Sequence, residues 1–408
     1  MKRITCLAVV PIVAALGACS NGGASNAQPT STNDGGGAAG DGGAPGDDAS
    51  AGDDGANPTT AYEADLSGAQ VVPTPVQTGA SGKGQFTLSG DGMTLAYNIA
   101  FSPADFVPTA VNLHLGAVGE NATVTHQLSP VSNRMSGQVT LTMDEQAVIN
   151  SGGLYVDAQT QANPSGEIRG QIVLPGAEIF VAYPTGQQQV PSVNSAYTAH
   201  AGFILSPDMG TLIYHVATGA TPTDVRLHRA IAGVVGPVAY DLPVGSSPID
   251  GSVAIGGTAG NSDPSDLENG HFYLNIVTQQ NPAGELRGQL IRPGERLFSG
   301  VLAGANEVPP VPSQATGGAQ LILGPDQSSV RYETLVSGII PNAVELAAAP
   351  AGHNGPLVLQ LTLNKTGALG TAMMMSPDVQ TLLAGGIYAN VKTPSYPSGE
   401  LRAQLLAQ

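Results

Sequence analysis

One nine-residue stretch occurs three times and sets the plan of the whole chain. Asn163-Pro164-Ser165-Gly166-Glu167-Ile168-Arg169-Gly170-Gln171 returns as Asn281-Pro282-Ala283-Gly284-Glu285-Leu286-Arg287-Gly288-Gln289, and again as Tyr396-Pro397-Ser398-Gly399-Glu400-Leu401-Arg402-Ala403-Gln404. The spacing makes the chain a tandem array of one module of about 115 residues, near the common size of a domain. The expected partition is 61–175, 176–293 and 294–408, preceded by segments 1–18 and 19–60.

Within each module, short apolar stretches alternate with Gly and Pro punctuation. Gly84–Ser89 and Thr94–Ile99 flank Gly90-Asp91-Gly92, which reads as a hairpin by period and turn chemistry. Tyr97, Tyr214 and Tyr332 fall at the same register and are expected in the core or at its rim. A short helix is expected before the closing hairpin. In the first module it covers 144–150, with Thr142 and Glu145 spaced as a capping box. In the third it covers 377–384, with Ser376 as cap and Gly385 as stop; in the second it shrinks to 264–268. The fold class is therefore all-β: three tandem antiparallel Greek-key-like β-sandwiches of about seven strands, each with a short helix, after a disordered linker. The absence of Trp leaves Val, Leu, Ile and Ala to fill the cores.

The N-terminal segment has the layout of an export signal. Lys2 and Arg3 precede an apolar run ending in Leu16-Gly17-Ala18-Cys19, which resembles a bacterial lipobox with Cys19 as the lipidated residue. Ser20 after the cysteine is compatible with the outer membrane. Loss of 1–18 removes Cys6 and leaves no pair for a disulfide. Segment 19–60 is rich in Gly, Ala and Asp and is expected to be a disordered tether. Its length would give a reach of roughly 35 Å. These readings place the protein in the cell envelope, exposed at the surface and held to the membrane by lipid.

A net charge of −17, without a basic stripe, argues against nucleic acid as a partner. No Gly-x-Ser-x-Gly, phosphate loop, cysteine nucleophile or His-Glu-x-x-His pattern is present. Glu167 and Arg169 lie two apart and share one face of a strand, as do Glu285 and Arg287, and Glu400 and Arg402. They read as structural, either as same-face ion pairs or with Arg bonding carbonyls next to the Asn-Pro-x-Gly turn.

The opening Leu66–Pro73, the Val-x-Leu-His strand and the closing Tyr-Val…Asn-Pro-x-Gly-Glu-Ile-Arg-Gly-Gln together resemble the CHRD (chordin) domain. The resemblance spans residues 62–408 and implies β-sandwiches. It also implies a possible metal trio, because bacterial members commonly carry His-x-His-Gly on the fourth strand and a later His. Here the trio is incomplete: His114 is accompanied by Asn112 and Gln159, and His228 by Arg226 and Val277. The third module has Glu345, Ala347 and Lys392. One imidazole per module does not hold a transition metal tightly. His114, His126 and His228 thus remain weak metal candidates, with His114 and His126 placed to meet on neighbouring strands, and no cofactor is expected. The expected role is non-catalytic: binding of an extracellular protein or glycan, adhesion, or envelope architecture. A metal-dependent, dismutase-like redox enzyme and a passive spacer are the rival expectations.

Overall fold

A computed structural model describes residues 58–129, 132–256 and 263–408. The expected signal, Cys19 and the tether up to residue 57 lie outside the described residues. In the first domain the strands are β1 (Thr60–Ser67), β2 (Ser81–Leu88), β3 (Thr94–Ser102), β4 (Ala110–Leu115), β5 (Val124–Gln127), β6 (Arg134–Thr140), β7 (Leu154–Gln159) and β8 (Ile168–Gln171), with helix α1 (Met143–Val148) before β7. They run in the order β5-β4-β7-β8-β1-β2-β3-β6. Only one rung, Ser67 to Arg169, joins β1 to β8, so the sheet folds there into two layers of four strands. In the second domain the equivalent layers are separate four-stranded sheets. The third repeats the order and adds the short strands Leu363–Asn364 and Leu406–Ala407.

The path is a Greek key. After the β1-β2-β3 meander the chain crosses to β4 and β5, returns to lay β6 beside β3, and crosses again to set β7 between β4 and β8. Eight strands per domain replace the expected seven, the extra one being β6 and its counterparts Ile249–Ala254 and Gly367–Met373. Period-two patterning explains which faces meet. β2 buries every second residue, and Tyr62, Phe86, Ile99, Val111, Leu113, Val156 and Ile168 fill the space between layers.

The helices follow their caps. Thr142 and Glu145 form the full capping box on α1, each binding the other's backbone N–H. In the third domain the helix is Ser376–Leu383, and the cap position falls on Met375 rather than Ser376. Pro377 sits in its first turn, and Gly385 follows with a φ of 73°. The second domain's helix, Asp263–Glu268, is short as expected, but at six residues it is no shorter than α1. No helix among the described residues is long and apolar enough to cross a membrane.

Successive sandwiches share apolar seams. Val118 and Val173 of the first domain pack with Val181 and Ile204 of the second, in one cluster with Ala232, Ile291, Leu297 and Ile322 at the next junction. At each junction the loop after the fourth strand reaches the following domain. At Gly202 an added Cβ would collide with the Val118 carbonyl, so the bare backbone there is what admits the first domain's loop.

Candidate functional site

The outer face of β4, β7 and β8 should be solvated, yet β7 and β8 are almost wholly buried. The cover is the loop after β4, residues 116–122, and beneath it lies a layer of polar side chains. Each residue of the repeated motif has its own task in that layer. Glu167 accepts from Thr78 (2.6 Å), Thr160 and Asn163 (3.2 Å), and so ties the Asn-Pro-Ser-Gly turn to the segment before β2. Hydrogen bonds from these residues hold its carboxyl below the ordinary range. Arg169 donates to the carbonyls of Glu120 (2.5 Å) and Ala117 (3.0 Å), and its guanidinium lies 3.5 Å from the centre of the Tyr155 ring. Burial lowers its pKa to about 10, which leaves it charged at neutral pH. Gln171 donates to the Gly116 and Gly152 carbonyls at 2.8 and 2.6 Å.

The other domains rebuild this latch. Arg287 stacks on Tyr273 and binds the Ile231 carbonyl (3.0 Å), while Arg402 stacks on Tyr388 and binds the His353 carbonyl (2.7 Å) and Asn354. Glu285 accepts from Ser195, Thr278 and Asn281, and Glu400 from Ser313 and Thr393. The alternative of a Glu–Arg ion pair is therefore not what forms. The glutamates are hydrogen-bonded to hydroxyls and amides, and the arginines bind carbonyls. Those carbonyls belong to the loop after the fourth strand, not to the Asn-Pro-x-Gly turn.

His114 and His126 do not meet. His114 stacks on Tyr155, with Nδ1 2.9 Å from the Ala122 carbonyl and Nε2 3.1 Å from Asp157 Oδ1. His126 sits 3.0 Å from Glu145, at the helix cap. His228 repeats the His114 arrangement, stacking on Tyr273 with Nδ1 3.0 Å from the Gly236 carbonyl. The trio positions do converge in space. Asn112, His114 and Gln159 all contact Asp157, at 3.0, 3.1 and 3.3 Å. In the third domain Glu345 and Lys392 at two of those positions form a 2.6 Å ion pair. Amide and ammonium groups thus stand where ligands would have to be.

A different group gathers at the first junction. Glu120, at the end of the latched loop, places Oε1 2.9 Å from His215 Nε2 and 3.9 Å from His200 Nε2 in the second domain. His200 pairs with Ala217 and His215 with Gly202 across neighbouring strands, which makes the two imidazoles diagonal neighbours on one face. Asp250 Oδ1 lies 2.6 Å from His215 Nδ1. Burial pulls the His215 pKa down, but contact with Asp250 and Glu120 outweighs it and raises it to about 9. Burial lowers that of His200. Glu120, His200 and His215 are, among the described residues, the one group of three metal-binding side chains with ligand atoms all within 4.8 Å of one another. The second junction has an imidazole–carboxylate contact too, His271 Nε2 to Glu333 Oε2 at 2.5 Å, with His271 now on the preceding domain.

Neither junction contact was visible in the repeats. Glu120 aligns with Val234 and His353, and His200 with a strand residue of no special type, so the repeats carry no trace of the pairing. The available signal was the set of histidines outside the motif, His200, His215 and His271, the first two of them on neighbouring strands. Compared with known proteins, the chain matches the family model described as CHRD domain over residues 62–172, 180–290 and 298–405. No solved structure matches it.

Proposed function

The chain belongs to the CHRD-domain family, and from that membership we propose a non-catalytic envelope protein. In this reading it is lipid-anchored through Cys19 and surface-exposed, and it presents three docked sandwiches as a binding, adhesion or architectural element. The observation that carries the reading is the fate of the family's charged residues. Glu167, Arg169 and their repeats are spent inside each domain, on the turn and on the loop that seats against its neighbour. Their chemistry serves rigidity, and a row of rigid modules favours repeated contact with an extended partner through avidity. The test has two arms. Metabolic palmitate labelling should mark the wild type and not Cys19→Ala, and protease added to whole cells should cleave the protein. Purified protein on arrays of glycans and envelope polymers should bind a repetitive ligand, with affinity falling by more than tenfold when one sandwich replaces three. Absence of lipid label, or equal affinity of one and three sandwiches, would overturn it. The continuous apolar seam favours a second reading, a spacer without a ligand, which predicts blank arrays together with altered surface organisation in a deletion strain.

A further inference from the structure

The side chains of Glu120, His200 and His215 take no part in the latch, which uses only the Glu120 carbonyl, and the second junction has a single imidazole–carboxylate contact in place of this group of three. The geometry points to a binding site for one divalent first-row transition ion, Zn²⁺ foremost, between the first and second sandwiches, with Glu120 Oε1, His200 Nε2 and His215 Nε2 as ligands. Two imidazoles and a carboxylate are the donor set of zinc-type ions, whereas calcium and magnesium prefer oxygen alone. A tetrahedral ion holds such donors about 3.3 Å apart. The separations of 2.9 and 3.9 Å from Glu120 Oε1 straddle that value, so side-chain shifts of under about 1 Å close the site.

The surroundings are built for a ligand. Both Nε2 atoms are buried and make no well-directed hydrogen bond. Asp250 on Nδ1 of His215 fixes the proton there and turns the Nε2 lone pair toward Glu120, the outer-shell arrangement typical of metal-bound histidine. The two carboxylates together match the charge of a divalent ion. Both histidines stand on paired strands, and Arg169 pins the loop bearing Glu120 by two carbonyls, so the ligands are held before the ion arrives. A shallow cleft of ≈ 370 Å³, lined by Thr198, His200, Thr218 and Ser247, leads to His200 and offers entry and room for a water as fourth ligand. The proton on His215 is the competitor the ion must displace. A bound ion would staple the first sandwich to the second.

The experiment uses the full chain with Cys6→Ser and Cys19→Ser, stripped with EDTA so that no thiol or residual metal interferes. Titration with Zn²⁺ by calorimetry, and with Co²⁺ by its visible absorption, should give one ion per chain. His200→Ala and Glu120→Gln should each weaken Zn²⁺ binding by more than about tenfold, and Asp250→Asn by about tenfold. His126→Ala and His353→Ala should leave it unchanged. His200 is part-exposed, so its variant folds even if a change at buried His215 does not. No binding, or binding that survives His200→Ala and Glu120→Gln, or binding lost in His126→Ala, overturns the proposal.

Discussion

Gln189 Nε2 donates a 2.8 Å hydrogen bond to Asn275 Oδ1 in the second sandwich, and the same two positions in the third hold Glu307 and Asn390. Glu307 Oε1 and Asn390 Oδ1 are both buried and both lack a donor. Burial raises the Glu307 pKa to about 7, which lets its protonated carboxyl stand in for the amide. The folded pKa exceeds the unfolded one, so the folded chain holds a proton the unfolded chain has lost. Stability is therefore greatest below the unfolded value of about 4.5 and declines as pH rises to about 7. Glu307→Gln should remove that decline and stabilise the protein at about pH 8 by on the order of 1 kcal/mol. Thermal unfolding across this range checks it, and an unchanged pH profile in the variant would count against the pairing.

Arg169 joins three things that no smaller cation joins: two carbonyls of one loop and the face of Tyr155. Arg169→Lys keeps the charge but loses the planar fork and the stacking. The expected cost is roughly 2–3 kcal/mol, since a buried charge and two carbonyls are left poorly matched. Amide exchange should quicken first at residues 117–120. A variant with uniform destabilisation and no local loosening would show that the latch does not position the loop.

The cores and hairpins were legible because period-two patterning and Gly-Asp-Gly turns are local signals. The capping box at Thr142 and Glu145 was legible for the same reason, as two residues at fixed spacing. The sixth strand was not. Arg134-Met135-Ser136-Gly137-Gln138-Val139-Thr140 is an edge strand, mostly exposed, with a glycine that reads as a breaker. Its glycine is needed because Tyr97 lies over it in register, as Tyr214 lies over Gly251 and Tyr332 over Gly370. An added Cβ at any of the three would collide with the tyrosine hydroxyl end. The motif's glutamate and arginine were legible as structural, but not their long-range partners, which in the first domain lie 49 to 89 residues away in sequence. The group at the first junction was the least legible of all. It draws on two domains and occurs once, so comparison of repeats averages it away.

His271 gives the second junction a pH dependence of the same sense as that of Glu307, in a higher pH window. Burial lowers its pKa, but hydrogen bonds with Glu333 and Asp266 outweigh this and the net shift is upward. Arg331 lines the same cleft and is paired with Glu295. With the folded pKa above the unfolded 6.5, the stabilisation is complete below 6.5 and fades as pH rises through the folded value. Glu333→Gln should lower the melting temperature at about pH 6, by the equivalent of about 1 kcal/mol, and the gap should close in alkaline solution. Calorimetry at matched ionic strength measures it. A gap that stays constant with pH would remove the imidazolium from the account.

Gly202 decides whether the first two sandwiches dock at all. It sits in the strand Ala199–Leu205 and pairs with Val181 on one side and His215 on the other, a place where valine suits the pleat well. Gly202→Val should therefore leave the second sandwich folded. Its side chain would fill the space taken by the Val118 carbonyl, and displacing the loop costs roughly 1–3 kcal/mol. Because Val118, Val173, Val181 and Ile204 share that seam, the loss should fall on the junction rather than on either core. The expected outcome is a larger radius of gyration in small-angle scattering, with new protease cleavage between residues 173 and 181 and unchanged β-sheet content by circular dichroism. The same variant should lose the junction's Zn²⁺ affinity, since Glu120 withdraws with its loop. Cleavage and scattering identical to the wild type would mean that the loop is seated by something other than the bare backbone at Gly202.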